Sequence, residues 1–140
     1  MAFKPGKDAF LALDSAAGTP VNLSPYIDDV SFSVSVDMGE VSTIGTSTKA
    51  MIPLLSGGDT IPLAGPYDVA VHTHFGNALG TSNAGTSLTV QYGPGGSVSG
   101  QAKMSAEVFI SNYTLKSAVG SRSDWSATLQ VTAATTLGTW

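Results

Sequence analysis

The sequence predicts a mainly β fold with one flanking helix, on the strength of three observations. Several segments alternate apolar and polar residues with a period of two, which is typical of a strand with one buried face. The chain ends in two long segments of this kind, joined by a turn. Only one segment has the spacing of an amphipathic helix. Because a hairpin is not stable by itself, we expect the rest of the chain to supply strands across its apolar face.

The final hairpin is predicted from residues 104–115 and 125–133. In its second strand the odd-numbered residues are apolar and the even-numbered residues are polar. In its first strand the apolar residues change from even to odd positions partway along. One extra residue in a strand has this effect, so a β-bulge is predicted near Ser111 and Asn112.

Other strands are predicted from shorter patterns of the same kind. These strands are residues 8–13, 30–37, 60–65 and 88–92. Residues 30–37 show the clearest alternation, with Val or Phe at even positions and Ser or Asp at odd positions. We therefore expect this segment to be a single strand with an apolar face in the core and a small polar face outside.

The helix is predicted to begin after Asp68, whose side chain can cap the first turn. A stripe of apolar residues follows at helical spacing: Val71, Phe75, Ala78 and Leu79. Gly80 occupies the place of a C-terminal cap, and residues 81–86 are predicted to be a polar loop. We expect the stripe to lie on the sheet.

Residues 38–58 show no regular period and are predicted to form a long inter-strand loop. Connections of this length in a compact domain are usually functional or disordered. Four of its apolar residues would be exposed on a free monomer unless something covers them: Met51, Ile52, Leu54 and Leu55. Two interpretations are open: the loop folds back on its own domain, or it packs on a neighbouring subunit.

The low charge content indicates a surface that meets other copies of the chain. Charged residues make up 11% of the sequence, against roughly 25% in an ordinary domain. A stable Ser/Thr-rich β domain is the simpler alternative. The net charge of −4 and the scattered basic residues argue against a protein that grips a polyanion.

Length and composition are consistent with one domain that spans residues 1–140. The chain has no cysteine, which excludes a disulfide scaffold and thiolate chemistry. The apolar residues 9–13 lie between two aspartates and are too few for a signal-peptide core or a membrane span. We therefore expect a protein that is made in the cytoplasm, stays soluble until it assembles, and has no membrane partner.

No set of residues is predicted to catalyse a reaction or to bind a cofactor. His72 and His74 are two apart, so on a helix they point to different sides and cannot share a metal. Asp28 and Asp29 lack the spaced carboxylates of a calcium loop. The glycine-rich residues 93–100 lack the lysine of a phosphate-binding loop. The sequence therefore predicts a protein that is not an enzyme and has no metal or cofactor.

The chain resembles the major tail proteins, or tail tube proteins, of long-tailed, siphovirus-like bacteriophages. The segments that carry the resemblance are residues 1–10, 23–30, 67–75 and 126–134 with 138–140. They span most of the chain in the family's order of strand, turn, strand, long loop, helix and hairpin.

The resemblance implies a two-sheet β-sandwich with a helix on its flank. It also implies rings of six copies that stack into the tube through which phage DNA leaves the capsid without specific binding. The long loop would reach the adjacent ring through Lys49, Met51, Ile52, Leu54 and Leu55. The small polar face would line the lumen: Ser31, Ser33, Ser35 and Asp37.

The family's setting implies further partners, which are the tape measure, tail terminator and distal tail proteins of a virion. Two other classes stay open. A head–tail completion or decoration protein would stop at one ring or bind a capsid lattice. A carbohydrate-binding or adhesin-like module would cluster aromatics on one face, whereas the tyrosines here fall on different predicted elements: Tyr26, Tyr67, Tyr92 and Tyr113.

Overall fold

The structure is a computed structural model that describes residues 3–45 and 47–140. Met1, Ala2 and Thr46, which belong to the first segment of the resemblance and to the predicted long loop, lie outside the described residues. In chain order the elements are β1 (Phe10–Asp14), β2 (Pro20–Asn22), β3 (Asp29–Val30), β4 (Val36–Glu40), β5 (Met51–Ser56), β6 (Thr60–Pro66), α1 (Val69–Asn83), β7 (Leu88–Gly93), β8 (Ala102–Lys116), β9 (Asp124–Val131) and β10 (Thr136–Thr139). Short 3-10 helices cover Gly6–Asp8 and Ser24–Tyr26.

The prediction of a mainly β fold with two sheets and one helix on its flank is confirmed. The large sheet is antiparallel and has eight strands, in the order β2-β1-β7-β8-β9-β6-β3, with β10 also paired to β8. The long strand β8 joins its two halves. Its first half pairs with β7 and β10, and its second half pairs with β9. Strands β9 and β10 therefore lie end to end along the same side of β8.

The core lies on one face of the large sheet, beneath α1. The odd-numbered residues of β9 from Trp125 to Val131 are all buried, as the alternation predicts. Helix α1 covers them with Val71, Phe75 and Ala78, and Phe75 lies 5.2 Å from the ring of Trp125. The predicted strand extends too far at its end, because β9 stops at Val131 and pairing with β8 resumes only in β10.

The predicted bulge in β8 is confirmed, since the register with β9 shifts between Ile110 and Asn112. At this bulge a side chain of α1 hydrogen-bonds to the backbone of β8. The Ile110 N–H donates to the Ser82 hydroxyl at 2.9 Å in a buried position. The side chain of α1 thus satisfies a backbone donor at the point where β8 has passed the end of its pairing with β7.

The helix begins as predicted, with the Asp68 carboxylate accepting from the Ala70 N–H at 2.8 Å. The prediction that Gly80 ends the helix is wrong, because α1 continues to Asn83. The observed end is a Schellman motif with Gly85 at a φ of +89°. In this motif the Gly85 N–H donates to the Ser82 carbonyl, and the Thr86 N–H donates to the Thr81 carbonyl. The cap lies at Gly85 because Gly85 adopts the left-handed conformation and Gly80 does not.

The prediction of one strand over residues 30–37 is wrong. Strand β3 stops at Val30, and the chain resumes strand structure only at Val36, in the other sheet. Phe32 packs against the core, but Val34 and Val36 are exposed. The reason is that β6 pairs with β3 over only two residues, so the residues that follow do not continue the strand ladder of the large sheet.

The prediction of an irregular loop over residues 38–58 is also wrong. Strands β4 and β5 form an antiparallel hairpin, paired from Val36↔Ser56 to Glu40↔Met51, with a register shift near Met38. The sequence does not show a period of two here because apolar side chains lie on both faces of this hairpin. The large sheet therefore carries a second, two-stranded sheet as an appendage.

Candidate assembly surface

We call residues 36–56, comprising β4, β5 and their connection, the hairpin arm. Within the described residues, β4 and β5 pair only with each other. All the residues of β5 and all but one of β4 are exposed. Its large exposed apolar side chains are Val36, Met38, Val41, Ile44, Met51, Ile52, Leu54 and Leu55. The arm thus presents a concentration of apolar surface that the free monomer does not cover.

Both faces of the arm are apolar. Leu54 lies across Gly39, where an added Cβ would stand 3.0 Å from Leu54 Cδ1. Its neighbour Leu55 points to the opposite face and is 80% exposed. A partner could therefore bury apolar area on either side of the hairpin.

The base of the arm is fixed to the large sheet through Asp59. The carboxylate of Asp59 accepts from the Ser35 N–H at 3.0 Å and from the Ser35 hydroxyl at 2.6 Å. The Asp59 carbonyl in turn accepts from the Val131 N–H of β9 at 2.9 Å. Gly57 and Gly58 lie between the arm and Asp59, and both have positive φ, a conformation that other residues rarely adopt. The arm is therefore anchored at a turn that glycine makes possible.

The structure places the five predicted loop residues together on the arm. Lys49 precedes β5, and the other four lie on β5: Met51, Ile52, Leu54 and Leu55. All five are exposed, so the interpretation that the loop folds back and buries them is wrong for the monomer. Their role in contacts between rings stays a prediction.

The four predicted lumen residues do not share the face of one strand. Ser31, Ser33 and Ser35 lie in the irregular segment between β3 and β4, and Asp37 lies on the arm. All four are exposed, but the Ser35 hydroxyl is bound by Asp59. The geometric basis of the prediction is therefore wrong, while the lumen role itself stays a prediction.

Sequence reasoning missed a second polar surface, on the face of the large sheet away from α1. Strand β9 contributes Ser126, Thr128 and Gln130 to this sheet face, and β8 contributes Glu107. The Glu107 carboxylate accepts from the Ser87 hydroxyl at 2.8 Å and from the Thr89 hydroxyl at 2.5 Å. The even-numbered polar residues of β9 were a signal for this surface, but only the sheet order joins them to Glu107.

The two histidines lie on different sides of α1, as predicted. His72 is exposed, and its Nδ1 lies 3.3 Å from the Tyr113 hydroxyl. His74 is buried, and its Nε2 has no hydrogen-bond partner among the described residues. Burial lowers the pKa of His74, against a smaller opposing effect of the Asp14 charge. In the part of the chain that the structure describes, no three His, Cys, Asp or Glu side chains are grouped to hold a metal ion.

No described helix has the length and hydropathy needed to cross a membrane. No protein-family model matches the chain, and no curated protein matches its sequence significantly.

Solved structures of phage-like tails do match the fold along nearly its whole length. A chain from the tail of an empty gene transfer agent particle, a tail with C6 symmetry, superposes with a TM-score of 0.76 at 13% identity, over 97% of this chain and 99% of that one. The SPP1 tail tube gives 0.68 at 14% identity, over 99% and 80%. The cap that terminates the tube of the anti-feeding prophage gives 0.70 at 14% identity, over 100% and 93%. The chain therefore has the fold of proteins that build tails and tubes in these particles.

Proposed function

We propose that this chain is a structural, non-enzymatic subunit that assembles with copies of itself into stacked rings, which form the tube of a phage-like tail. The hairpin arm is the observation that carries the proposal. It is anchored at its base by Asp59 and exposes apolar residues on both faces. Monomeric soluble proteins rarely expose continuous apolar patches larger than a few hundred Å². A second copy of the chain is the simplest partner that covers such an arm.

The composition and the fold support the same proposal. A subunit whose surface is mostly interface needs little charge, and this chain has 11% charged residues. The fold matches chains from the tails or tubes of three kinds of particle, among them a tail with C6 symmetry. We extend this to rings of six copies, each copy a single domain, located in the tail of a virion and assembled in the host cytoplasm. Its other partners would be tail proteins, including tape measure, terminator and distal tail proteins.

Phage DNA would pass through the lumen without specific binding, because an acidic or neutral wall does not hold phosphates. Two surfaces are candidates for this wall. One is the predicted set Ser31, Ser33, Ser35 and Asp37. The other is the sheet face around Thr128, which is polar and carries Glu107. A lysine on the true wall should slow DNA ejection from assembled particles, so Asp37→Lys and Thr128→Lys distinguish the two surfaces, and normal ejection from both would contradict both.

The test of the proposed function is negative-stain electron microscopy of the purified protein at rising concentration. Hollow tubes of constant width with a regular stacking repeat are the expected result. Single rings would instead indicate a completion protein, which is the main alternative. A monomer at every concentration contradicts self-assembly and favours the binding-module alternative.

The arm is tested by the double variant Leu54→Asp with Leu55→Asp. Both side chains are exposed, so the variant should fold normally, but buried carboxylates at the interface should prevent tube growth. The matched control is Val98→Asp with Leu137→Asp, which makes the same change of charge at two exposed residues outside the arm. Tubes of normal length from the arm variant would show that the arm is not an interface.

A further inference from the structure

A second exposed apolar group lies where β6 meets α1, and we call it the end cluster. Its members are Tyr67, Val69, His72, Tyr113 and Leu115. Val69 is 68% exposed and Leu115 is 47% exposed. The rings of Tyr67 and His72 are 6.4 Å apart, and those of His72 and Tyr113 are 6.0 Å apart. The rings of Tyr67, His72 and Tyr113 thus bring together the β6–α1 connection, α1 and β8, and Val69 and Leu115 are exposed on the same two elements, α1 and β8.

The end cluster is built on the core and is therefore rigid. Tyr113 stacks on the buried ring of Phe75 at 5.0 Å, and Phe75 packs against Trp125. Val69 and His72 are three residues apart on α1, so they lie on the same side of the helix. Tyr113 and Leu115 are two apart on β8 and share one strand face. A surface held in this way can receive a partner without first becoming ordered.

The arm and the end cluster lie at opposite ends of β6. The arm joins β6 at its start, because Ser35 is held by Asp59 and the Ser31 N–H donates to the Pro62 carbonyl. Residues 31–35 thus run antiparallel to β6 and lead the arm past the beginning of that strand. The end cluster begins at Tyr67, directly after the last residue of β6. Six residue steps separate the two ends, which is about 20 Å.

We infer that the end cluster is the surface that receives the hairpin arm of a copy in the adjacent ring. An open stack grows only through a heterologous interface, in which two different surfaces of the subunit meet. The subunit carries an apolar arm at one end of β6 and a fixed apolar surface at the other end. These are two different surfaces of the kind that a heterologous interface joins. The inference rests on the proposed function, and it identifies the surface through which stacked rings contact each other.

The pairing depends on apolar side chains rather than on charge. Lys116 follows Leu115 on β8 and therefore points to the opposite face of that strand. The carboxylate of Asp68, between Tyr67 and Val69, is engaged as the cap of α1, where it accepts from the Ala70 N–H at 2.8 Å.

The first test uses the cluster variant Val69→Asp with Leu115→Asp. It should remain folded, because both residues are exposed and an acidic residue is favourable in the first turn of a helix. It should raise the concentration needed for tube growth by roughly a hundredfold or more. The control is again Val98→Asp with Leu137→Asp. Normal tubes from a folded cluster variant would overturn the inference.

Mixing the two defective proteins gives a sharper result. The cluster variant keeps an intact arm, and the variant Leu54→Asp with Leu55→Asp keeps an intact end cluster. Prepared separately and then mixed, they should join once and stop, giving two-ring stacks but no tubes. A mixture with no particle larger than those of either variant alone would contradict the pairing.

Because the natural chain has no cysteine, the contact can also be measured by cross-linking. Leu55→Cys and Leu115→Cys chains, assembled together, should be joined by a short bis-maleimide only when tubes form. The control replaces Leu115→Cys by Leu137→Cys, which is 63% exposed but lies on the order of 30 Å away along β8. Tubes without the Leu55–Leu115 product overturn this inference and leave the proposed function intact, whereas absence of tubes from the unmodified protein contradicts the proposed function itself.

Discussion

The core beneath α1 and the hairpin arm are rich in the same kinds of side chain but differ in what covers them. Around Phe75 and Trp125, every large apolar residue packs against residues of the same chain. On the arm, residues such as Ile52 and Leu55 are as apolar, but they face outward. The core therefore stabilises the monomer, whereas the free energy available from the arm is gained only when another molecule covers it. This difference leads us to regard the arm as an interface rather than as an unfinished part of the fold.

The largest difference in monomer stability is expected between two variants that each truncate one apolar side chain to alanine, one in the core and one on the arm. Phe75→Ala should reduce the free energy of unfolding by about 3–5 kcal/mol, because Phe75 is fully buried between Trp125 and Tyr113. Leu55→Ala should change it by less than about 0.5 kcal/mol in the monomer, since that side chain is exposed. Urea denaturation of dilute protein measures both. A large loss of monomer stability in Leu55→Ala would remove the distinction between the two regions.

A smaller effect is expected where the helix supports the bulge of β8. Ser82→Ala removes the acceptor of the buried Ile110 N–H and should destabilise the protein by about 1–3 kcal/mol. The control is Ser33→Ala, at an exposed position in the irregular segment, which should be nearly neutral. Equal unfolding midpoints for the two variants would mean that water satisfies the Ile110 N–H.

The smallest effect is expected on the pH dependence of stability, through the buried residue His74. Because burial lowers the pKa of His74 below 6.5, the unfolded chain takes up this proton at a higher pH than the folded chain does. Stability from this residue is therefore fully present above about pH 6.5 and is lost as the pH falls toward the lower folded pKa. The variant His74→Gln should show a shallower fall in unfolding midpoint between neutral and mildly acidic pH.

The control for this measurement is Asn77→Ala. Asn77 and His74 line one surface hollow, but the Asn77 side chain does not titrate. It should keep the pH dependence of the unmodified protein. If His74→Gln keeps it as well, another group is responsible for the loss of stability in acid.

The sequence was a good guide wherever burial is decided by nearby strands of the same chain. The alternation of β9, the bulge after Ile110 and the Asp68 cap were all predicted correctly because each depends on local geometry. Over residues 30–37 an equally clear alternation was misleading. There, whether the segment became a strand depended on how far it paired with β6, and that pairing covers only the two residues of β3. Strand β10 was missed because its four residues carry no period, and only pairing with β8 defines it.

The sequence by itself determined the β class, the single capped helix and the presence of apolar residues in need of a partner between positions 49 and 55. Those properties follow from residue type and spacing, which act over a few neighbours in the chain. Only the tertiary structure decided that these residues form a hairpin anchored by Asp59, and that Tyr67, Val69, His72, Tyr113 and Leu115 meet at the other end of β6. The physical reason is that such surfaces depend on strand order and register, which pair residues far apart in sequence and leave no local pattern.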